Sequence, residues 1–490
     1  MNILLVSPTT PATFWSFRHA IRFISKKAAF PPLGLLTVAA MLPADWNLRL
    51  VDLNVSRLQH DDLEWADYVF LSGMIINMES CRAVAARCAA HGKTIIAGGP
   101  LFTTCHDQFP EIRHVVIGEA EDIMPALVAD MQTGRLQPFY EGRDKPDIRQ
   151  SPVPRWDLID FKHYAMMSVQ FSRGCPFNCE FCDIIVMYGR VPRVKTPEQV
   201  VRELDALLHA GWRGAIFVVD DNFVGNRAKV KILLRAMIDW RRRQRISIAF
   251  TTEASLNLVD DPELLDLMVQ AGFKKVFIGL ETPNPESLVE CAKVQNTNRD
   301  MVGAIRQLQN AGIEVMGGFI LGFDSDQPTI FERQLQFIQE AGVVTAMVGL
   351  LNALPKTRLF TRLASEGRIL RQTTGNNLDA VLNFIPKLDR DVLVEGYRTL
   401  VKKLYAPKTY YRRALTFLRE YRRRGPKVKS TRGELAAFFK SMWVMGVWSK
   451  GRRAYWLYLL RSLLFHRRAF AEAVQLAILG HHFRKIAKEL

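Results

Sequence analysis

Cysteine is scarce, with seven residues in a chain of 490, and three of the seven fall within eight positions. So sparse and clustered a set makes no disulfide framework. It points to a reducing compartment and a metal site. Long uncharged apolar runs are also missing. None reaches the ~18 residues that span a bilayer; the longest candidates are 341–355, 441–449 and 454–465, the last broken by Arg461. The N-terminus, MNILLVSPTT, has neither the basic n-region nor the small-residue cleavage site of a signal peptide, so the expected location is the cytoplasm. No repeat of fixed period is evident. Acid is nearly absent from residues 401–490, where 22 Lys and Arg face only Glu420, Glu434, Glu472 and Glu489, a net +18. The whole chain carries +17, so the first 400 residues are close to neutral at −1. A neutral body therefore carries a cationic tail region, and the two need separate explanations.

What is present is ordinary for a folded protein: 48% hydrophobic and 23% charged residues exclude disorder, collagen and coiled coil. The length exceeds the ~250–300 residues one core serves, which predicts two or three domains. Over residues 1–140, strand-length apolar runs (2–6, 48–51, 68–72, 94–97, 115–117) alternate with helical patterns such as 78–91. That alternation predicts a doubly wound, Rossmann-like parallel sheet. Ligands of such sheets bind beyond the carboxyl ends of the strands. Those ends read Ser7-Pro8, Asp52-Leu53-Asn54, Ser72-Gly73, Gly98-Gly99-Pro100 and Gly118-Glu119, with tight turns as the alternative for any one of them. Residues 141–165, with three prolines and no periodicity, read as a linker. A second series follows over 166–365, with strands at 167–171, 215–219, 246–251, 275–279, 315–321 and 343–350. Helices are expected between them at 197–210, 229–240, 262–271, 299–311 and 329–341. Six βα units predict a full or partial α/β barrel, with chemistry at the carboxyl ends of its strands. Strand signals stop after about residue 366, and the remainder, 366–490, reads as a basic helical domain with its helices over 391–490.

The strongest motif is SRGCPFNCEFC, which places Cys175, Cys179 and Cys182 in C-x3-C-x2-C spacing directly after the first barrel strand. Three thiolates on a short loop can hold three irons of a [4Fe–4S] cluster, leaving the fourth without a protein ligand, whereas ordinary ferredoxin clusters use four. Zinc is the alternative, although its motifs favour paired C-x2-C or added His. The motif, with Phe181 before its last cysteine, resembles the radical S-adenosylmethionine (SAM) superfamily over about residues 167–361. The resemblance implies that the open iron chelates SAM, which one electron cleaves to methionine and a 5′-deoxyadenosyl radical that abstracts hydrogen from substrate. It also implies a one-electron donor of flavodoxin or ferredoxin type. Matching SAM-contacting positions are Phe181, Asp220, Asp221, Asn222, Glu253 and Glu281, with Gly317, Gly318 and Gly322 on the fifth strand. A lone Asp or Glu there could instead be a helix cap or an ion pair.

A doubly wound domain ahead of such a barrel resembles the cobalamin-binding subgroup. The matching pieces imply cobalamin contacts at Ser72, Gly73, Gly98, Gly99, Gly118 and Glu119. The D-x-H-x-x-G motif of many cobalamin proteins is missing, since none of His19, His60, His91, His106 and His114 stands two residues after an Asp. A histidine under cobalt is therefore unsupported. A methylthiotransferase-like second cluster through Cys81, Cys88 and Cys105 is the rival. However, Cys81 and Cys88 lie seven apart on an expected helix, the pattern of a buried face. TFWSF at 13–17, the PPLGLLTVAAMLP segment and the C-terminal extension resemble the branch of cobalamin-dependent radical SAM enzymes that includes the hopanoid C-2 methylase. This implies a methyltransferase acting on an unactivated carbon of a hydrophobic lipid, probed against two alternatives: a radical enzyme modifying RNA, and one catalysing cyclisation or oxidation. A cluster serving only as electron carrier or sensor is the non-enzymatic reading. The tail interleaves Arg and Lys with Trp, Tyr and Phe, which favours an anionic membrane surface. Nucleic acid and plain helical packing are its competitors.

Overall fold

Residues 1–376, 378–426 and 432–490 are described by the computed structural model of the chain. Its first layer is a six-stranded sheet of β1 (Asn2–Ser7), β2 (Asn47–Asp52), β3 (Tyr68–Ser72), β4 (Thr94–Gly98), β5 (His114–Ile117) and β6 (Phe139–Glu141). The order is β2-β1-β3-β4-β5-β6, parallel throughout. Strands covered on both faces read as continuous apolar runs, and Ile3, Leu4, Leu5 and Val6 are all fully buried. Leu4, Val6, Val69 and Leu71 face one core, shared with Cys81, Cys88 and Cys105. Ile3, Leu5, Phe70 and Ile96 face the other, against Leu35 and Leu127. The strand order reverses between β1 and β3, so their carboxyl ends open a crevice at a topological switch point. β6 runs across the boundary expected at residue 140. It is a short edge strand in which only Tyr140 is buried, too brief to show a pattern.

The second sheet comprises β7 (Met167–Val169), β10 (Ile216–Val218), β11 (Phe250–Glu253), β12 (Phe273–Glu281), β13 (Glu314–Leu321) and β14 (Thr345–Leu350). An antiparallel ribbon of β8 (Ser172–Arg173) and β9 (Arg193–Val194) lies between the first two in sequence. The order is β7-β10-β11-β12-β13-β14, all parallel, with β7 and β14 at open edges. The barrel is therefore partial, with six strands. Helices Pro197–His209, Arg227–Gln244, Pro262–Ala271, Met301–Asn310 and Ile330–Glu340 separate its strands. Their starts are written locally: Thr196 and Gln199 form a capping box ahead of Pro197, and Asp261 caps Pro262, each satisfying orphan amides of the first turn. Phe319 meets Phe337 of the last of these helices with ring centroids 6.1 Å apart, so its alternating neighbours Gly318 and Ile320 face the lumen. β11 begins at Phe250, four residues later than the apolar run predicts. Arg245 closes the preceding helix with φ 51°, and the Arg241 guanidinium takes the Ile248 carbonyl.

The 141–165 segment is stitched to both layers by short 3-10 turns, and its Tyr164 hydroxyl donates to Asp52 at 3.0 Å. Helical structure resumes at Arg390, one residue from the expected start; the stretch before it carries one isolated bridge, Ile369 to Phe384. Helices Arg390–Tyr405, Pro407–Glu420, Arg432–Ser441, Met442–Trp448 (π-helical), Arg452–Phe465 and Phe470–Glu489 follow. Their core is continuous with that of the barrel. Arg413, counted with the basic tail, is fully buried, lies beside the Tyr405 and Tyr410 rings and donates to the Leu404 and Val344 carbonyls. Lys427 and Lys429 of the tail lie outside the described residues.

Candidate active site

The cysteine loop is held from below by Asp220 at the end of β10. Its carboxylate accepts from the Phe171 and Ser172 amides at 2.8 Å each and from the Ser172 hydroxyl. Gly174 has φ +99°, and a Cβ there would sit 2.9 Å from the Gly189 carbonyl, so only glycine fits the turn. Beyond it the Cys175 amide donates to that carbonyl at 3.2 Å. Farther along, Arg362 clamps Glu180 with two bonds of 2.7 and 3.1 Å. The loop thus presents its thiols from a fixed frame. Asn222 approaches the Cys175 sulfur at 3.6 Å, and Gln295 approaches the Cys179 sulfur at 3.8 Å while its Oε1 is buried without a partner.

Burial pushes the Cys182 thiol up to about 12 and raises Cys179, with the Lys293 ammonium opposing both. Lys293 is mostly buried too; against that desolvation, Glu281 and Cys179 keep it protonated, its pKa raised. A cation is thereby aimed at two of the three sulfurs. Among the described residues, the one His, Cys, Asp and Glu set that converges within 4.8 Å is His60, Glu64 and His91 on the outer surface. The three thiols are spread wider than a single tetrahedral zinc requires. That spacing and an all-sulfur donor set suit a multi-iron cluster.

Above the loop the lumen is acidic. Burial, reinforced by Asp220 and Asp183, lifts Asp221 to about 7, and burial with the repulsion of Asp221 and Asp220 lifts Glu253 to about 8. Asp221 Oδ2 is buried with no hydrogen-bond partner. An orphaned carboxylate oxygen among like charges is costly and suits a cationic ligand such as an ammonium or sulfonium. The pairing of strands puts Phe217, Thr251, Glu253, Phe277 and Gly318 on the same inner face. Trp15 packs tilted against Phe277 with ring centroids 4.7 Å apart, and Phe30 against Phe217 at 5.1 Å. The N-terminal segment therefore adds to an apolar wall that adjoins the acidic one, since Phe277 pairs with Glu253 in register.

Several residues expected to contact SAM have other work. Asp220 is fully buried and spends both oxygens on the loop. Glu281, at φ 62°, turns its carboxylate to Lys293. A Cβ on Gly317 would strike Phe319 and Val343, on the outer side, and Gly322 is a turn whose amide donates to Asp326. Asn222 faces Cys175 and Ser255. Phe181 packs toward Phe323 at 6.2 Å. Sequence reasoning passed over Lys293 and Gln295, which belong to no motif, and Asp183, which adjoins Cys182.

In the first sheet Ser72, Gly73 and Gly99 converge at the switch point. Gly99 has φ +87°, and a Cβ on it would lie 2.5 Å from the Ser72 hydroxyl. Gly98 ends β4 beneath them. Gly118, at φ +92°, has open space where a Cβ would point. This glycine-lined floor lets a flat ligand approach backbone closely. Next to Gly118, the Glu119 side chain is bound by Arg173 at 2.7 Å and Arg193 at 2.6 Å, and Arg173 also pairs with Glu121 at 2.8 Å. Glu119 therefore fastens the first sheet to the residue just before the cysteine loop. Cys81, Cys88 and Cys105 are buried among apolar side chains, with burial pushing Cys81 up to about 12 and Cys88 to about 11, which fits small core residues.

Comparison with known proteins agrees with this arrangement. The B12 binding domain family matches residues 21–128, the Radical SAM superfamily 169–338, and a domain of unknown function 357–490. An uncharacterized methyltransferase of Synechocystis sp. is 38% identical over 99% of this chain and 91% of its own length. The hopanoid C-2 methylase of Rhodopseudomonas palustris is 34% identical over 100% of this chain and 94% of its own. In fold, the chain is similar to the radical SAM methyltransferase TsrM of Kitasatospora setae, solved with cobalamin and a [4Fe–4S] cluster. The TM-score is 0.66 at 18% identity, covering 93% of this chain and 98% of that one. OxsB, a cobalamin-dependent SAM radical enzyme, superposes with a TM-score of 0.64 at 15% identity over 100% of this chain and 80% of that one. With two full-length relatives above 30% identity, this chain belongs to the cobalamin-dependent radical SAM C-methyltransferases, which use a [4Fe–4S] cluster, SAM and cobalamin.

Proposed function

We propose that the protein methylates an unactivated carbon of a polycyclic triterpenoid lipid of the hopanoid type. The observation that carries this reading is the 34% identity to a hopanoid C-2 methylase over the entire chain. The aromatic wall of Trp15, Phe30, Phe217 and Phe277 supports it, since an apolar ring system needs apolar contact and no charge partner. Cys175, Cys179 and Cys182 would hold the cluster, Asp221 and Glu253 would face the cationic groups of SAM beside Gly318, and Ser72, Gly73, Gly98, Gly99 and Gly118 would floor the cobalamin site. When bound, the cluster with SAM supplies a hydrogen-abstracting radical, and cobalamin supplies the methyl group. The chain's own part is to place these groups around one cavity and to keep water from it. No side chain is needed as a general base, because hydrogen leaves the substrate carbon as an atom. A one-electron donor of flavodoxin or ferredoxin type, and a place in the cytoplasm, complete the reading.

The test is lipid mass spectrometry of a deletion strain and of the strain complemented with the wild-type gene or with Cys179→Ala. Loss of a lipid one methylene heavier than its precursor, restored by wild type alone, is the expected result. An unchanged lipid profile overturns the triterpenoid assignment and leaves the family assignment standing.

A further inference from the structure

We infer that the helical hairpin of residues 432–465 is a docking surface for an anionic lipid bilayer. Its inner face is fixed to the protein. Tyr458 stacks on Tyr411 at 4.7 Å and donates to the Ala473 carbonyl at 3.0 Å, and Tyr455 bonds the Ser441 hydroxyl at 2.8 Å. Its outer face is apolar as well. Trp443 is 60% exposed, Trp448 73%, Leu464 60% and Phe465 75%, with Leu457 and Leu460 exposed between them. Helices of a water-facing surface carry polar residues there, and contiguous exposed apolar groups mark an interaction site.

Charge selects the occupant. Residues 435–471 contain seven Lys and Arg and no Asp or Glu, and Lys450, Arg452, Arg453, Arg461, Arg467 and Arg468 are exposed around the apolar face. A second copy of this face would bring like charges together, which opposes a symmetric dimer. Nucleic acid would meet the cations but leave Leu457, Leu460 and Leu464 without a role, because aliphatic chains do not stack on bases. A bilayer satisfies both halves: phosphate headgroups take the cations, Trp sits at the interface, and acyl chains cover the leucines. No helix of the described residues is long and apolar enough to cross a membrane, so the contact is one of lying on the surface.

The test uses the cluster-loaded full chain with vesicles of phosphatidylcholine alone or with about 30 mol% phosphatidylglycerol, and no substrate, so it is independent of the triterpenoid reading. Flotation with the anionic vesicles only, weakened at about 0.5 M NaCl, is expected. Leu460→Glu with Phe465→Glu should weaken it by more than roughly tenfold, with SAM cleavage unchanged as the check on folding. Quenching of tryptophan fluorescence by acyl-brominated lipid in the wild type is the second measurement, since it needs no variant. Absence of flotation and quenching, equal binding by the double variant, or an apolar-face dimer detected by sedimentation each overturns the inference.

Discussion

Lys293 is the residue on which the electrostatics of the cysteine loop turns. It is mostly buried, it pairs with Glu281, and it faces Cys179 and Cys182. A cation beside an iron–sulfur cluster stabilises the extra electron of the reduced form. Lys293→Met should therefore lower the midpoint potential by on the order of tens of millivolts, and Glu281→Gln should raise it. A redox titration followed by electron paramagnetic resonance reads both, and equal potentials in the two variants would refute the placement. Glu253 gives a pH signature. Its folded pKa is raised to about 8 by burial and by Asp221 and Asp220, from an ordinary 4.5. Between those values the unfolded chain releases a proton that the folded chain keeps, so this group's contribution to stability is lost as pH rises through the window. Glu253→Gln removes the loss. The thermal midpoint of the cluster-free variant should exceed wild type by on the order of 2 °C at pH near 9 and match it near pH 4. A gap of the same size at both ends would mean that packing, not ionisation, separates the two.

At the level of elements, the decisive join runs between β5's end and β8. Arg173 stands one residue before Gly174 and binds Glu119 and Glu121, all three side chains nearly buried. Burial alone would raise Glu121, yet Arg173 holds its carboxyl below the usual range. Removing one partner of such a set leaves buried charges uncompensated, at about 3–5 kcal/mol. Arg173→Met should loosen the first sheet from the barrel, and limited proteolysis within 141–165 should accelerate. Adding Glu119→Gln and Glu121→Gln to that variant should restore much of the resistance. These elements also show what the sequence made legible. Eleven of the strands announced themselves as apolar runs because parallel strands are buried on both faces, and Pro262–Ala271 was readable to the residue from its cap and from Gly272. β6 and the β8–β9 ribbon were not, since each is two or three residues long and held by partners distant in sequence. The cysteine loop was legible because its ligand spacing is local. The ion pairs of Glu119 were hidden for the opposite reason: its partners Arg173 and Arg193 lie 54 and 74 positions away, and nothing near it in sequence signals them.

For the molecule as a whole, the C-terminal region is not an appendage. Helix Phe470–Glu489 packs Phe483 between Phe14 at 5.5 Å and Tyr405 at 5.2 Å, and His482 Nε2 lies 3.1 Å from the Phe14 carbonyl. The first residues of the chain and the last therefore share one core, next to the Trp15 that reaches the barrel lumen. Val474, Leu476, Phe483 and Ile486 are buried, and burying four large apolar side chains contributes on the order of 10 kcal/mol. That equals the net stability of a typical folded protein. Deleting residues 432–490 should consequently yield an insoluble chain, although the cysteine loop, the acidic wall and the glycine floor all lie upstream of the cut. Solubility after expression and iron content after anaerobic reconstitution measure this directly. A soluble truncated chain with a full cluster would show that the barrel stands without its tail, and Trp15 would then have to be held by something other than the helix that closes over it.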